Sequence, residues 1–380
     1  MLTESTSKED FFQYRRPWSA IKHRILSKYV DAYLRIRGGS QPEIVFLDAF
    51  AGSGGYGPDP DSQVAGSPVL VARLAQERKE KGLQNRFFAI YTEENKANYE
   101  RLKRALQPFD DDLYRVFHGR FQEHISQILE LMHQSPAICF LDPFGVEGIS
   151  PRDIGALGER ADTEFMLILH VGSLRRLAGF EDSMAPDARE KIRLVSEVLD
   201  EDPDSLSPKW LGAFRSLNTD EWEKWVVDRY ISNLLKRSPD LQYACSYPVR
   251  EAYNSRPKYY FIFASRAPYG VVPLNDICAA EEEELFQTIA SVRRDMPTQM
   301  SLFAAPDPNA KAEDEIVRRI KGELERYPSL PRRELVLRLC YASFGEHRRK
   351  VYHKAINLMI DSQIITKGPG PIDEALLTLT

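Results

Sequence analysis

The chain lacks most of the features that assign a protein to a class at sight. Its four cysteines, Cys139, Cys245, Cys278 and Cys340, lie far apart with no C-x-x-C pair, so no zinc site, disulfide framework or iron–sulfur cluster is indicated. A reducing, cytoplasmic setting is the plain expectation. No run approaches the roughly 18 apolar residues of a membrane span, and the opening Met1 to Asp10 has no apolar leader core, so neither export nor membrane insertion is expected. No segment repeats at a fixed period. Positive charge is not in excess either: 51 Lys and Arg against 56 Asp and Glu leave a net charge of -5. That excludes a uniformly basic nucleic-acid coat while leaving room for a local basic patch.

What is present is a chain of 380 residues, 43% hydrophobic and 28% charged, long enough for two or three domains with a substantial core. Residues 1–40 read as a polar tail and an amphipathic helix, with Ile21, Ile25, Tyr29, Tyr33 and Ile36 recurring every three or four positions. Strand-like and helix-like segments then alternate. The strands are Ile44–Ala49, Arg86–Tyr91, Tyr114–Phe117, Ala137–Leu141 and Phe165–His170, and Pro68–Lys79, Lys96–Leu106 and Gln122–Met132 are helical patterns between them. This predicts an α/β core over 41–172, a mostly parallel sheet covered on both faces, with ligands beyond the carboxyl ends of the strands. Asp48, Glu93, His118 and Asp142 each follow one of the first four strands.

Residues 173–240, charged and carrying Trp210, Trp222 and Trp225, read as a helical insertion whose tryptophans serve a core or a partner contact. Strands return at Tyr243–Val249 and Tyr259–Ser265 within 241–295, and their close spacing predicts that the last runs antiparallel. A Pro- and Asp-containing linker over 296–311 precedes 312–380, whose helical patterns and final apolar stretch fit a winged-helix unit.

Gly52, Gly54 and Gly57 match G-x-G-x-x-G directly after the first strand. A dinucleotide fingerprint needs a helix to begin at that loop and an acid about 20 residues on. Here Pro58-Asp59-Pro60 follows, the helix signal waits until Ser67 as N-cap with Pro68 behind it, and Glu93 comes too late. NAD is therefore disfavoured. A flexible glycine loop plus a carboxylate after the second strand suits a ligand with ribose hydroxyls and no phosphate, such as S-adenosylmethionine.

The stretches Lys22-His23, "FLDAFAGSGGY", "AGSPVLVARL", "YTEENKANYERL", "HGRFQEHI" and "FLDPFG" resemble, in order, bacterial large-subunit rRNA adenine-N6 methyltransferases of the class I Rossmann type. Most of the chain, including "YYFIFASRAPYG" and the C-terminal part, is still more similar to the three-Cys-motif partner (TcmP) family, methyltransferase-like proteins that accompany a radical-SAM-like three-cysteine protein. The resemblance implies a class I methyltransferase sheet in which Lys22, Asp48, Gly52, Gly54 and Ser67 hold the methionine and sulfonium end of S-adenosylmethionine. It also implies that Glu93 binds the ribose and that Gly119, Arg120 and Phe121 lie near the adenine. Asp142, Pro143 and Phe144 would be catalytic, the carboxylate accepting hydrogen bonds from a target amino group while the aromatic ring stacks on its base.

The second proline of the D-P-P-Y type of motif is missing here, and Gly145 loosens the turn. Two readings therefore stay open. One is an amino-methyltransferase acting on a nucleic-acid base, RNA or DNA, with a three-cysteine partner. The other is an inactive cofactor-binding adaptor that docks that partner. Lys22 and His23 have a solvated helix face as their plain alternative, His118 and His170 read as structural, and Cys139 as core. Arg348, Arg349, Lys350 and Lys354 fall on the presumed recognition helix, where nucleic-acid contact and an ordinary solvated face are both open.

Overall fold

A computed structural model describes residues 17–56, 64–83, 85–160, 162–181, 183, 185–205, 207–251, 255–294 and 312–380. Gly57, the proline-rich stretch after it and the linker lie outside the described residues. In chain order the first elements are α1 (Pro17–Arg37), β1 (Glu43–Asp48), β2 (Gly55–Tyr56), β3 (Val64–Ala65), α2 (Ser67–Glu80), β4 (Arg86–Glu93), α3 (Lys96–Leu106), β5 (Tyr114–His118), α4 (Ile125–Met132), β6 (Ala137–Leu141) and β7 (Thr163–Leu169). The insertion follows as α5 (Val171–Ala178), α6 (Ala188–Val198), α7 (Lys209–Ser216) and α8 (Thr219–Arg237), and then come β8 (Tyr243–Val249) and β9 (Tyr259–Ser265).

These strands form a seven-stranded sheet in the order β5-β4-β1-β6-β7-β9-β8, an α/β Rossmann-like sheet. Five strands pair in parallel, and β9 inserts antiparallel between β7 and β8. The central strands β1 and β6 are almost wholly buried, as their continuous apolar runs dictate for strands covered on both faces. The edge strand β5 is mixed in character and partly exposed.

The helix α1 is held to the sheet by Tyr29, whose hydroxyl donates to Glu164 at 2.5 Å and whose ring meets Phe263 edge-on at 5.3 Å. Ser265 donates to the other oxygen of Glu164 at 3.0 Å. The insertion is part of the same core: Trp210 and Trp222 are fully buried and Trp225 packs against them partly buried. Trp210 donates to Ser196 at 2.8 Å, so these rings are structural, and α8 starts on a capping box made by Asn218 and Glu221.

Local details differ from the sequence reading. Gly66, not Ser67, is the N-cap of α2, with Ser67 and Pro68 inside its first turn. Only Gly fits there, because a Cβ on Gly66 would lie 2.9 Å from the Gly54 carbonyl oxygen. The pattern at Gln122–Met132 begins as a 3-10 turn, Phe121–His124, before α4. A two-stranded ribbon, β2–β3, brackets the proline-rich stretch.

The chain separates into two compact units, one formed by residues up to Glu251 together with Ser255–Ala267, the other containing Pro268–Thr380. The second unit comprises α9 (Val271–Arg294), α10 (Ala312–Arg326), β10 (Leu330–Pro331), α11 (Arg332–Ala342), α12 (Arg349–Asp361), β11 (Ile365–Lys367) and β12 (Leu376–Leu379). Its strands take the order β10-β12-β11, with β11 and β12 pairing antiparallel after α12. Ile320, Leu335, Tyr352, Ile356 and Leu377 fill its core. The helix α9, which composition grouped with the last strands of the sheet, belongs to this unit. The Asn275 side chain donates to the His347 carbonyl at 2.8 Å and accepts from the Gly345 N–H at 2.9 Å.

Candidate functional site

The parallel strands deliver Asp48, Glu93, Asp142 and His170 to one edge of the sheet, the edge where ligands of such sheets sit. The chain leaving β1 is led across this edge by backbone bonds, Ala49 N–H to the Phe140 carbonyl at 3.1 Å and Ala51 N–H to the Thr92 carbonyl at 2.9 Å. Gly52 and Gly54 then take φ of 62° and 84°, in the left-handed region that side chains disfavour. Gly52 donates its N–H to Glu93 at 2.8 Å, and Asn95 donates to the other carboxylate oxygen at 2.8 Å. Glu93 thus joins the glycine loop to the start of α3. Burial raises its carboxyl above the usual range, against the two N–H donors. A carboxylate has about four acceptor positions, so Glu93 keeps capacity for hydroxyl groups.

Asp48 is fully buried. One oxygen accepts from the Phe50 N–H at 3.2 Å, while Oδ2 has no hydrogen-bond partner among the described residues. Burial, with Asp142 adding to it, pushes this carboxyl up to about 7; the Ser67 hydroxyl, the Phe50 N–H and the Lys22 charge pull the other way. An orphaned acceptor at a strand end beside a glycine loop is an observation that fits a cationic or N–H-bearing ligand.

Lys22, on α1, is buried and ion-paired with Asp142. Burial alone would lower its ammonium, but Asp142, Tyr56 and Asp48 together hold it above its ordinary value. Asp142 is therefore one centre of a cluster that also takes in His170 and Tyr259, each of which senses its charge. The rings of His170 and Tyr259 meet edge-on at 5.6 Å. Burial drives the His170 imidazole down to about 4, so it is neutral at physiological pH. Two residues on from Asp142, the Phe144 side chain is half exposed, and Gly145 follows at φ 111°.

The structure thus brings together Lys22, Asp48, Gly52, Gly54, Ser67, Glu93 and Asp142, with Phe144 at the rim. Gly119 is tied in by its N–H to the Glu93 carbonyl at 3.0 Å and has φ 130°. Phe121 is a core residue, fully buried and edge-on to Phe50 at 5.9 Å, so its ring offers no surface to a ligand. Arg120 points outward to Glu94 at 3.0 Å and Glu147 at 4.0 Å. His170 and Tyr259 escaped the sequence reading as site residues. Their signal was the antiparallel β9, whose first residue lies at the carboxyl edge of its neighbours.

In the second unit, Arg348 and Arg349 are not open cations. Arg348 pairs with Glu283 at 2.8 Å and Arg349 with Asp276 at 2.9 Å, both acids on α9. Lys350 and Lys354 are exposed.

No family model matches the chain, and no curated protein matches it. Among solved structures, a Legionella pneumophila protein of the DUF519 family is 12% identical, with 72% of this chain and 91% of that chain covered and a TM-score of 0.37. An O-methyltransferase from Bacillus cereus in complex with SAH is 15% identical, with 63% and 79% covered and a TM-score of 0.33. Likeness at this level carries no functional argument, and the reading that follows rests on the site's own residues. Among the described residues no helix is long and apolar enough to cross a membrane.

Proposed function

We propose that the first unit is an S-adenosylmethionine-dependent methyltransferase acting on an amino group, with a nucleic-acid base as the acceptor. The observation that carries this is the placement of Asp142 and the half-exposed Phe144 beside the cup formed by the glycine loop, Asp48 and Glu93. In this reading Glu93 accepts from the ribose hydroxyls. Gly52, Gly54 and the start of α2 let backbone approach the ligand, and Asp48 and Lys22 face its charged methionine end. The cofactor supplies an electrophilic methyl group. Asp142 accepts an N–H bond from the target amine and so turns its lone pair toward that carbon, while Phe144 stacks on the base. With the cofactor bound, transfer would break its C–S bond with the electron pair kept on sulfur, and Asp142 would hold the amine while its proton left to water. His170, neutral beside Asp142, adds no charge to the acceptor side.

Calorimetry with S-adenosylmethionine, S-adenosylhomocysteine and NAD tests the cofactor assignment. Binding of the first two and not the third, lost in Glu93→Ala, is expected; binding of NAD instead overturns it. Asp142→Ala should lower methyl transfer by about 10²–10³-fold, the usual effect of removing one positioned hydrogen-bonding group, while cofactor affinity stays nearly constant.

A second reading is favoured by the Lys22–Asp142 pair and by Gly145, which together leave the carboxylate engaged and the following turn loose. There the unit binds the cofactor without turning it over and serves as an adaptor for a radical-SAM-like three-cysteine protein, as membership of the TcmP family would imply. Co-purification of such a partner in stoichiometric amount, with no methylated product, would select it.

A further inference from the structure

The edge that carries the candidate site is electrostatically divided. On the side of β4 and β5, the Arg120 guanidinium is engaged by Glu94 and neighboured by Glu147 and Glu123. On the opposite side, α5 leaves the end of β7 directly after His170 and carries Arg175 and Arg176. Arg176 is exposed and its charge reaches His170; its one described bond is to the Ser173 hydroxyl at 2.9 Å. Arg256, three residues before β9, is 64% exposed, with Asp220 at 3.8 Å as a loose partner. The acid at the centre of this side, Glu223, is buried and sits under the opposing influence of both Arg256 and Arg175. Arg175, Arg176 and Arg256, three cations against Asp220 and Glu223, make the α5 side a favourable approach to Asp142 for a polyanion.

The second unit, where the sequence pattern points to a recognition helix, offers less. Its two arginines at the start of α12 are neutralised by Asp276 and Glu283, and this pairing has a local cause. Cations at a helix N-terminus oppose the helix dipole, and the acids of α9 offset them.

We propose that Arg175, Arg176 and Arg256 form a phosphodiester-binding rim that lays a single-stranded nucleic acid across the acceptor side of the first unit, with one base directed past Phe144 to Asp142. The proposal rests on the nucleic-acid reading above. A single strand suits it because its bases are free to stack on an exposed ring, and its backbone needs only a few cations along one side.

The test is fluorescence anisotropy with labelled short single-stranded RNA and DNA over a salt series, on the full chain. Arg175→Ala/Arg176→Ala is compared with Lys350→Ala/Lys354→Ala. The arginine pair should weaken binding about tenfold at low salt and reduce the slope of log K against log salt by about 1.4, the counterion release of two contacts to a single strand. The lysine pair should change little. Arg256→Ala, a single exposed change, should weaken binding by a smaller factor and decides the matter if the double variant misfolds. Loss confined to the lysine variant overturns the proposal in favour of α12, and absence of salt-dependent binding to either strand overturns it outright. Preference between RNA and DNA tells which polymer is the source of the phosphodiester. Cofactor calorimetry on the same proteins keeps the two readings apart. Cofactor binding without nucleic-acid binding defeats the rim alone, and arginine-dependent strand binding without cofactor binding defeats the methyltransferase reading alone.

Discussion

A buried carboxylate, a half-buried one and a half-buried imidazole set opposite demands on pH. Asp48 and Glu164 are both pushed up to about 7, chiefly by burial, so the folded chain holds their protons more tightly than the unfolded chain does. The stability they support is complete below the unfolded carboxyl range and is lost as pH rises from about 4 through about 7. His170, pushed down to about 4 by burial, works in reverse: its contribution is present above the unfolded histidine value and is lost as pH falls through about 4. Thermal melts from pH 4 to 8 should therefore show Glu164→Gln with a flatter decline on the alkaline side than the parent. An unchanged profile would place the titration elsewhere. At Gly54, φ of 84° combines with an Ala105 Cβ only 3.0 Å from where a side chain would begin. Gly82 has φ of 64° and open space. Gly54→Ala should therefore destabilise the first unit by more than Gly82→Ala, for which about 1 kcal/mol of left-handed strain is expected. Equal melting shifts would remove the packing argument.

At the scale of elements, α1 is held by a polar clamp as well as by apolar contact. Tyr29→Phe keeps the ring contact with Phe263 but deprives the half-buried Glu164 of one donor, leaving Ser265. A loss of about 1 kcal/mol is expected, the lower end of the cost of an incompletely satisfied acceptor, because Glu164 is only half-buried. Because Lys22 rides on the same helix, that loosening should also weaken cofactor binding in the calorimetric assay. The capping box of α8 provides a contrast far from the site. Asn218→Ala should cost about 1 kcal/mol and a melting shift of about 2–4 °C, with cofactor binding unchanged.

For the whole molecule, the division into two units fixes where the chain can be cut. A fragment beginning at Pro268 retains α9 and with it the Asn275 bonds to the stretch before α12 and the acids that neutralise Arg348 and Arg349. It should show a cooperative thermal transition. A fragment beginning at Ala312 lacks α9, exposes the apolar side of α11, and should melt at lower temperature or without a sharp transition. Similar melts for the two fragments would show that α9 contributes nothing to this unit.

The linear order of residues determined the strand–helix alternation, because apolar periodicity is a local property. Ala137–Leu141, Lys96–Leu106, Tyr243–Val249 and Tyr259–Ser265 were legible to the residue. It also determined that Asp48, Glu93 and Asp142 lie at strand ends, since parallel strands joined by helices must deliver their carboxyl ends to one edge. Tertiary structure decided what those residues touch. Lys22 reaches Asp142 across 120 positions and Glu93 closes on Gly52 across 41, separations over which no periodic pattern carries information. The same reason hid the role of Gly66, whose constraint is the Gly54 carbonyl, and brought Tyr259 beside His170 through a strand of reversed direction. It also made Phe121 core, and it turned Arg348 and Arg349 from candidate phosphate ligands into partners of α9. A charge run shows only that cations are present; which acids fold against them depends on helix packing.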